Sequence, residues 1–164
     1  MGKFETIFES ENIQYIKLTE ELINEYLTMV NDPEVANKIS HNMRTFSYEE
    51  EQEWIKTKLK ENANCYSMIE KTTGEYIGNV EIIKINNGIG EIGITITPRK
   101  QDRHYGTEAM KAIMEYGYNK LNLDGFELNV YSTNRRAIHC YENVGFKKDG
   151  TGKNENDIHM IHKK

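Results

Sequence analysis

The segment GEIGITITPRKQDRHYGTEAMKAIMEYGYNKLNLDGFELNVY, Gly90 to Tyr131, constrains the fold more than any other part of the chain. Its first part alternates, with Ile92, Ile94 and Ile96 on one face, which is the signature of a strand over Glu91–Thr97. Pro98 stops the ladder. A helix is expected from about Gly106 to Leu121, and FELNVY (Phe126–Tyr131) reads as a second strand. A strand–helix–strand unit of this length resolves as a right-handed crossover between parallel strands. Such a unit needs a sheet with helices packed on it.

The flanking sequence supplies that sheet. IQYIKL (Ile13–Leu18) reads as a strand, and Thr19 as a cap for a helix with Leu22, Tyr26 and Met29 or Val30 on one face. Pro33 suits the first position of a short second helix. Ser47 to Glu50 has capping-box spacing. The helix it opens runs to about Glu61, with Trp54, Ile55 and Leu59 expected inward and Glu49, Glu50 and Glu51 in a solvated first turn. CYSMIE, YIGNVEIIKI and EIGITIT form a meander, with Asn86-Asn87-Gly88 as a hairpin turn. Asn134 caps a short helix that Gly145 ends, and two last strands follow, FKKDG and DIHMIH. The expectation is one α/β domain over residues 1–164, with a mixed sheet of about seven strands flanked by helices.

Composition narrows the class. A chain of 164 residues with 37% apolar and 29% charged residues is globular. Net charge is −5, which does not suit a nucleic-acid coat but does attract cationic substrates. Cys65 and Cys140 form no disulfide framework and read as reduced thiols. The first residues lack the apolar core of a signal peptide, and no apolar run approaches the ~20 residues that span a bilayer. A cytoplasmic protein without a membrane partner is expected. The start Met-Gly-Lys-Phe-Glu-Thr fits a myristoylation pattern and reads as accidental. His159 and His162, three apart on a strand, fall on opposite faces and read as surface residues, so no metal site is expected. Cys140 reads as a buried, inert thiol.

The loop before the long helix is the first functional signal. Arg99, Lys100 and Arg103 crowd the approach to a helix N-terminus, with Asp102 the one acid among them. A helix N-terminus with added positive charge is an anion site, and Gly106 lets backbone approach a phosphate. No Gly-Lys-Ser/Thr follows and the dinucleotide glycine triplet is absent. On the loop alone, a polar connection that happens to be basic accounts for the residues equally well.

The second signal is NRRAIHCYENVGF, where Asn134, Ala137, Tyr141, Gly145 and Phe146 stand at the spacing N-x-x-A-x-x-x-Y-x-x-x-G-F. With Thr-Ile-Thr-Pro and Gln-x-x-x-x-Gly-Thr-Glu-Ala upstream, the chain resembles the GNAT superfamily of acetyl-CoA-dependent N-acetyltransferases. The likeness covers element order from about Ile13 and motifs from Tyr76 to Phe146. It is closest to the branch of ribosomal-protein N-terminal and polyamine acetyltransferases.

The resemblance implies a GNAT-like fold, acetyl-CoA as co-substrate, and a pantetheine arm lying between the strands Glu91–Thr97 and Phe126–Tyr131. It implies that the backbone of Ile94, Thr95 and Ile96 pairs with that arm. The N–H groups of Gln101, Asp102, Arg103, His104, Tyr105, Gly106 and Thr107 would cradle the pyrophosphate, and Asn134 would bond the arm near its thiol half. His104 departs from the family loop, which has glycine there; a β-carbon at that place crowds a phosphate or strains a positive φ. Tyr141 matches the general acid that protonates the leaving thiolate, from a phenol of pKa ~10. A backbone N–H near Ile94 would hold the oxyanion. Glu91 matches a base position, with Glu81 and Glu127 as alternatives; Asn129 stands where some relatives have a glutamate. His41 and Arg44 fall in a segment that shapes the acceptor pocket in such proteins, and a homodimer is the family habit.

The function these residues imply is direct acetyl transfer in a ternary complex to a primary amine: a protein N-terminus, a polyamine or an aminoglycoside-like acceptor. The alternative is a non-catalytic acyl-CoA-binding or sensing domain of the same fold. A nucleotide-binding module with another phosphate ligand lacks its signatures.

Overall fold

The computed structural model describes residues 4–39, 45–151 and 156–164. Eight strands form one sheet: β1 (Phe8–Glu9), β2 (Ile13–Lys17), β3 (Asn64–Glu70), β4 (Tyr76–Asn86), β5 (Ile89–Ile96), β6 (Gly125–Tyr131), β7 (Lys147–Thr151) and β8 (Asp157–Lys163). Their spatial order is β1-β2-β3-β4-β5-β6-β8-β7. All neighbouring pairs are antiparallel except β5 and β6, which are parallel as the crossover requires. The sheet exceeds the expected seven strands by β1, a two-residue strand too short to show a period.

The helices are α1 (Ile23–Val30), α2 (Pro33–Ile39), α3 (Tyr48–Lys60), α4 (Tyr105–Lys120) and α5 (Arg135–Asn143). Capping chemistry sets several starts. Thr19 accepts from the Glu21 amide, and Ser47 and Glu50 form the reciprocal capping box. Asn134 accepts from the Ala137 amide at 3.3 Å.

The strand period of two divides the sheet into two cores. On one face Tyr66, Met68, Val80, Ile82, Ile92, Phe126, Leu128 and Met160 meet Met110, Ile113 and Met114 of α4. Gly117 makes this contact possible, because a β-carbon there would lie 2.5 Å from the Phe126 ring. On the other face Ile16, Cys65 and Ile69 meet Ile23, Tyr26 and Met29 of α1 and Ile55 of α3. Burying a side chain of the Phe126 or Ile113 size contributes about 1.5–3 kcal/mol.

Two assignments on α3 fail, one inward and one outward. Leu59, assigned inward, is 45% exposed. Glu51, expected in solvent, is 5% exposed, and burial raises its pKa above the ordinary carboxylate value. The two late histidines do lie on opposite faces, but both are half-buried rather than on the surface. No helix among the described residues is long and apolar enough to cross a membrane.

Candidate active site

The site begins where two strands part. Ile89, Gly90 and Glu91 of β5 pair with Gly125, Phe126 and Glu127 of β6, and among the described residues no pairing joins the strands beyond that rung. β5 stays with β4, Val80 opposite Ile94 and Gly78 opposite Ile96. β6 stays with β8 as far as Tyr131 opposite Asp157. A wedge opens between them. The Thr97 amide donates to the Ile77 carbonyl on the β4 side at 2.9 Å. Strand alternation therefore turns the N–H and C=O of Ile94 and Ile96 away from β4, toward the wedge. The Ile96 carbonyl is occupied by Gln101 Nε2, which donates to it at 3.0 Å.

The loop at the wide end has two left-handed residues, Asp102 at φ 62° and His104 at φ 66°. His104, the residue in the family's glycine position, thus adopts the conformation that glycine would accept without cost. From there the chain enters α4, whose first intrahelical bond runs from the Glu108 amide to the His104 carbonyl. The amides ahead of Glu108 have no partner within the helix and form its positive end. A β-carbon on Gly106 would sit 3.5 Å from Cys140 Sγ and 3.6 Å from Ile96 Cδ1. The fold itself tolerates a β-carbon there, so the glycine keeps open a space between β5 and α5.

The basic residues of the loop differ in their surroundings. Lys100 is 4% exposed and bonds Glu70 at 3.0 Å and Glu75 at 2.7 Å. Arg99 lies 4.0 Å from Glu75 and Arg103 lies 3.9 Å from Glu70. The Tyr105 hydroxyl also donates to Glu70, as does Thr73 Oγ1 at 2.5 Å. These hydroxyls and the Lys100 ammonium hold the Glu70 carboxyl down to about 2. Lys100 thus anchors the loop to Glu70 and Glu75 at the β3–β4 turn, while the Arg99 and Arg103 side chains are more than half exposed.

On the α5 side, Arg136 Nη1 donates to Gln101 Oε1 at 2.6 Å, and Arg136 Nη2 lies 3.4 Å from Asp102 Oδ2. Asn134 follows the end of β6, its amide bonded to the Tyr131 carbonyl at 2.9 Å. Its Oδ1 caps the helix, leaving Nδ2 as the donor of that side chain. Tyr141 is half-buried on α5, its ring 6.2 Å from that of Phe146. Burial, with the neighbouring Cys140, pushes its phenol above the ordinary value, so it stays protonated at neutral pH. Cys140, also raised by burial, contacts Thr107 Oγ1 at 3.6 Å.

The sheet face away from α4 carries acids. Glu91 and Glu127 face each other across the last rung, and Glu81 pairs with Gly93 one strand over. Glu91 is 5% exposed and lies 3.8 Å from Lys84 Nζ. Burial raises the Glu81 pKa, Lys58 at 3.7 Å opposes that, and the charge of Glu91 adds to it. Glu127 Oε1 meets His159 Nε2 at 2.8 Å, and His159 Nδ1 lies 3.4 Å from Asp149. Burial disfavours the imidazolium, but these two carboxylates outweigh it and the His159 pKa is raised.

Residues 13–147 match the family model described as the acetyltransferase (GNAT) domain. The chain belongs to the GNAT acetyltransferases. Its relatives include the spermidine N(1)-acetyltransferase of Vibrio cholerae, 30% identical over 106 residues, which are 63% of this chain and 61% of that one. The Escherichia coli K12 spermidine N(1)-acetyltransferase is 39% identical over 79 residues, 47% of this chain and 42% of that one. The matched stretch thus spans less than two thirds of either relative. A solved structure of the V. cholerae spermidine N-acetyltransferase, in complex with CoA and spermine, superposes with a TM-score of 0.84 at 21% identity, covering 94% of this chain and 96% of that one. This likeness establishes the GNAT fold.

Within this GNAT domain, the loop from Gln101 to Thr107 and the residues Ile94, Thr95, Ile96 and Asn134 lie around the wide end of the wedge. Glu91 lies at its closed end and Tyr141 on the adjoining helix. His41 and Arg44 lie outside the described residues. Reasoning along the sequence missed Arg136, Glu70 and the buried state of Lys100. Their partners are 25 to 35 residues away, so no local pattern signals them.

Proposed function

We propose that this chain transfers the acetyl group of acetyl-CoA to a primary amine of a polyamine, within a ternary complex. The single observation that carries the acceptor class is the row Glu81, Glu91 and Glu127, set on adjacent strands of one sheet face. Three carboxylates side by side suit a flexible polycation better than a single α-amine. The spermidine acetyltransferases among the relatives support the same reading.

The wedge and loop fit acetyl-CoA. The backbone of Ile94 and the Ile96 N–H face the gap as a strand edge not paired with β6, and the start of α4 offers N–H groups and a space beside Gly106. The Gln101 amide is spent on the Pro98 carbonyl at 3.2 Å, so the amides from Asp102 to Thr107 bind the pyrophosphate, the Ile94–Ile96 edge pairs with the pantetheine arm, and Asn134 Nδ2 donates to it. When bound, acetyl-CoA supplies an acyl carbon activated as a thioester.

The remaining steps belong to the protein. An acceptor ammonium of pKa near ~10.4 must lose a proton before it attacks. Glu91 takes that proton, directly or through a water, while Glu81 and Glu127 hold the other charges of the acceptor. The Ile94 N–H, fixed in the strand and facing the wedge, stabilises the oxyanion. The free amine attacks the acyl carbon and the C–S bond breaks. Tyr141, kept protonated by burial, gives its proton to the departing thiolate and regains one from the nitrogen, which sheds its second proton as the amide forms.

A charge-number series tests the acceptor. Initial rates with butylamine, putrescine, spermidine and spermine should show KM falling with each added charge. A peptide with a free N-terminus outperforming spermidine in kcat/KM would overturn the polyamine assignment.

A further inference from the structure

We infer that Arg136 is a positioning residue that holds the cofactor loop against α5; this rests on the reading of Asp102–Thr107 as the pyrophosphate seat. The Gln101 carboxamide works in two directions. Its Nε2 donates to the Ile96 carbonyl at 3.0 Å and its Oε1 accepts from Arg136 at 2.6 Å. The second arm of the guanidinium lies 3.4 Å from Asp102 Oδ2. One side chain thereby ties the end of β5, the loop and the first turn of α5 together. The planar fork of arginine can serve both acceptors at once, which a lysine ammonium does less well.

Two further observations support the assignment. Asp102 and His104 hold left-handed backbone without being glycine, and such residues persist only where surrounding contacts impose the conformation. Arg136 also stands in the first turn of α5, a turn with no acidic residue, where the helix dipole disfavours a cation. Its charge therefore does nothing for its own helix, and its partners lie in the loop. α5 carries Asn134 at its cap and Tyr141 toward its end, so the same contact sets the loop relative to both.

Hydrogen exchange of the free protein and calorimetry with CoA and 3′-dephospho-CoA test this. In Arg136→Met, amides 102–107 should exchange faster, and both ligands should lose affinity together by roughly tenfold, the scale of one net hydrogen bond. Arg136→Lys should recover part of each. Unchanged exchange with unchanged affinity would overturn the proposal. Loss confined to CoA, with 3′-dephospho-CoA unaffected, would also overturn it, by making Arg136 a direct phosphate ligand. The underlying reading has its own control. CoA should protect amides 102–107 in the unsubstituted protein, and failure there would remove the loop assignment whatever Arg136 does.

Discussion

Glu91 stands directly opposite Glu127 across the last rung that joins β5 to β6. Beyond this pair the strands diverge, so two carboxylates mark the point where the sheet opens. Like charges on one rung disfavour each other, and the arrangement is relieved by the Lys84 ammonium beside Glu91 and by the contact of His159 Nε2 with Glu127. A polyamine would bring further positive charge to the same face.

The acids should separate by role. Glu91→Gln is expected to lower kcat by roughly 100-fold, the scale of lost general-base catalysis, and to leave acetyl-CoA affinity unchanged. Glu127→Gln should instead raise spermidine KM about fivefold with little change in kcat, the scale of one partly exposed ion pair. Steady-state kinetics with each substrate varied in turn distinguishes the two. If Glu81→Gln rather than Glu91→Gln removes turnover, the base lies one strand over.

Tyr141→Phe removes one hydroxyl from a half-buried ring. We expect kcat to fall at least roughly 100-fold while CoA binding by calorimetry stays within about twofold. Because the phenol is raised by burial, wild-type activity should not decline up to pH 9 through loss of this proton. Unchanged turnover in the variant would take Tyr141 out of the acid role.

His104→Gly places the conformationally free residue at φ 66°. Relief of left-handed strain and the greater freedom of the unfolded chain oppose each other, so stability should change by less than about 1 kcal/mol. CoA affinity should hold or tighten. A large loss of affinity would identify the imidazole as a phosphate ligand.

The anchor beneath the loop is acid-sensitive. Glu70 sits near 2 in the folded protein against an ordinary 4.5. A depressed carboxyl stabilises the fold fully above its unfolded value and loses that contribution as pH falls toward the folded one. Denaturant midpoints should therefore drop between pH 4.5 and 2, and Glu70→Gln should flatten that decline. Lys100→Met, which leaves Glu70 buried without its ammonium, should cost about 3 kcal/mol at pH 7.

Much of this was legible in the sequence because it is local. Alternation over Ile92–Ile96, the Ser47–Glu50 box and the Asn134 cap each act within a few residues, and each appears where the pattern predicts. The parallel crossover followed from handedness and connection length. What escaped depends on distant partners. The cations of the loop looked like a phosphate patch in one dimension, but Lys100 turns inward to Glu70, 30 residues away. Glu51 looked solvated by its neighbours Glu49 and Glu50, and only the packing of α3 shows it buried. Gln101 read as a cofactor ligand through its backbone N–H, and nothing local showed that its side chain bonds Ile96 and, 35 residues away, Arg136.

The most direct measurement is thiol release from acetyl-CoA with spermidine, run side by side for the unsubstituted protein and Tyr141→Phe. The account predicts spermidine-dependent release by the former and a loss of roughly 100-fold in the latter. CoA binding without release from any polyamine would contradict it and leave an acyl-CoA-binding domain of the same fold.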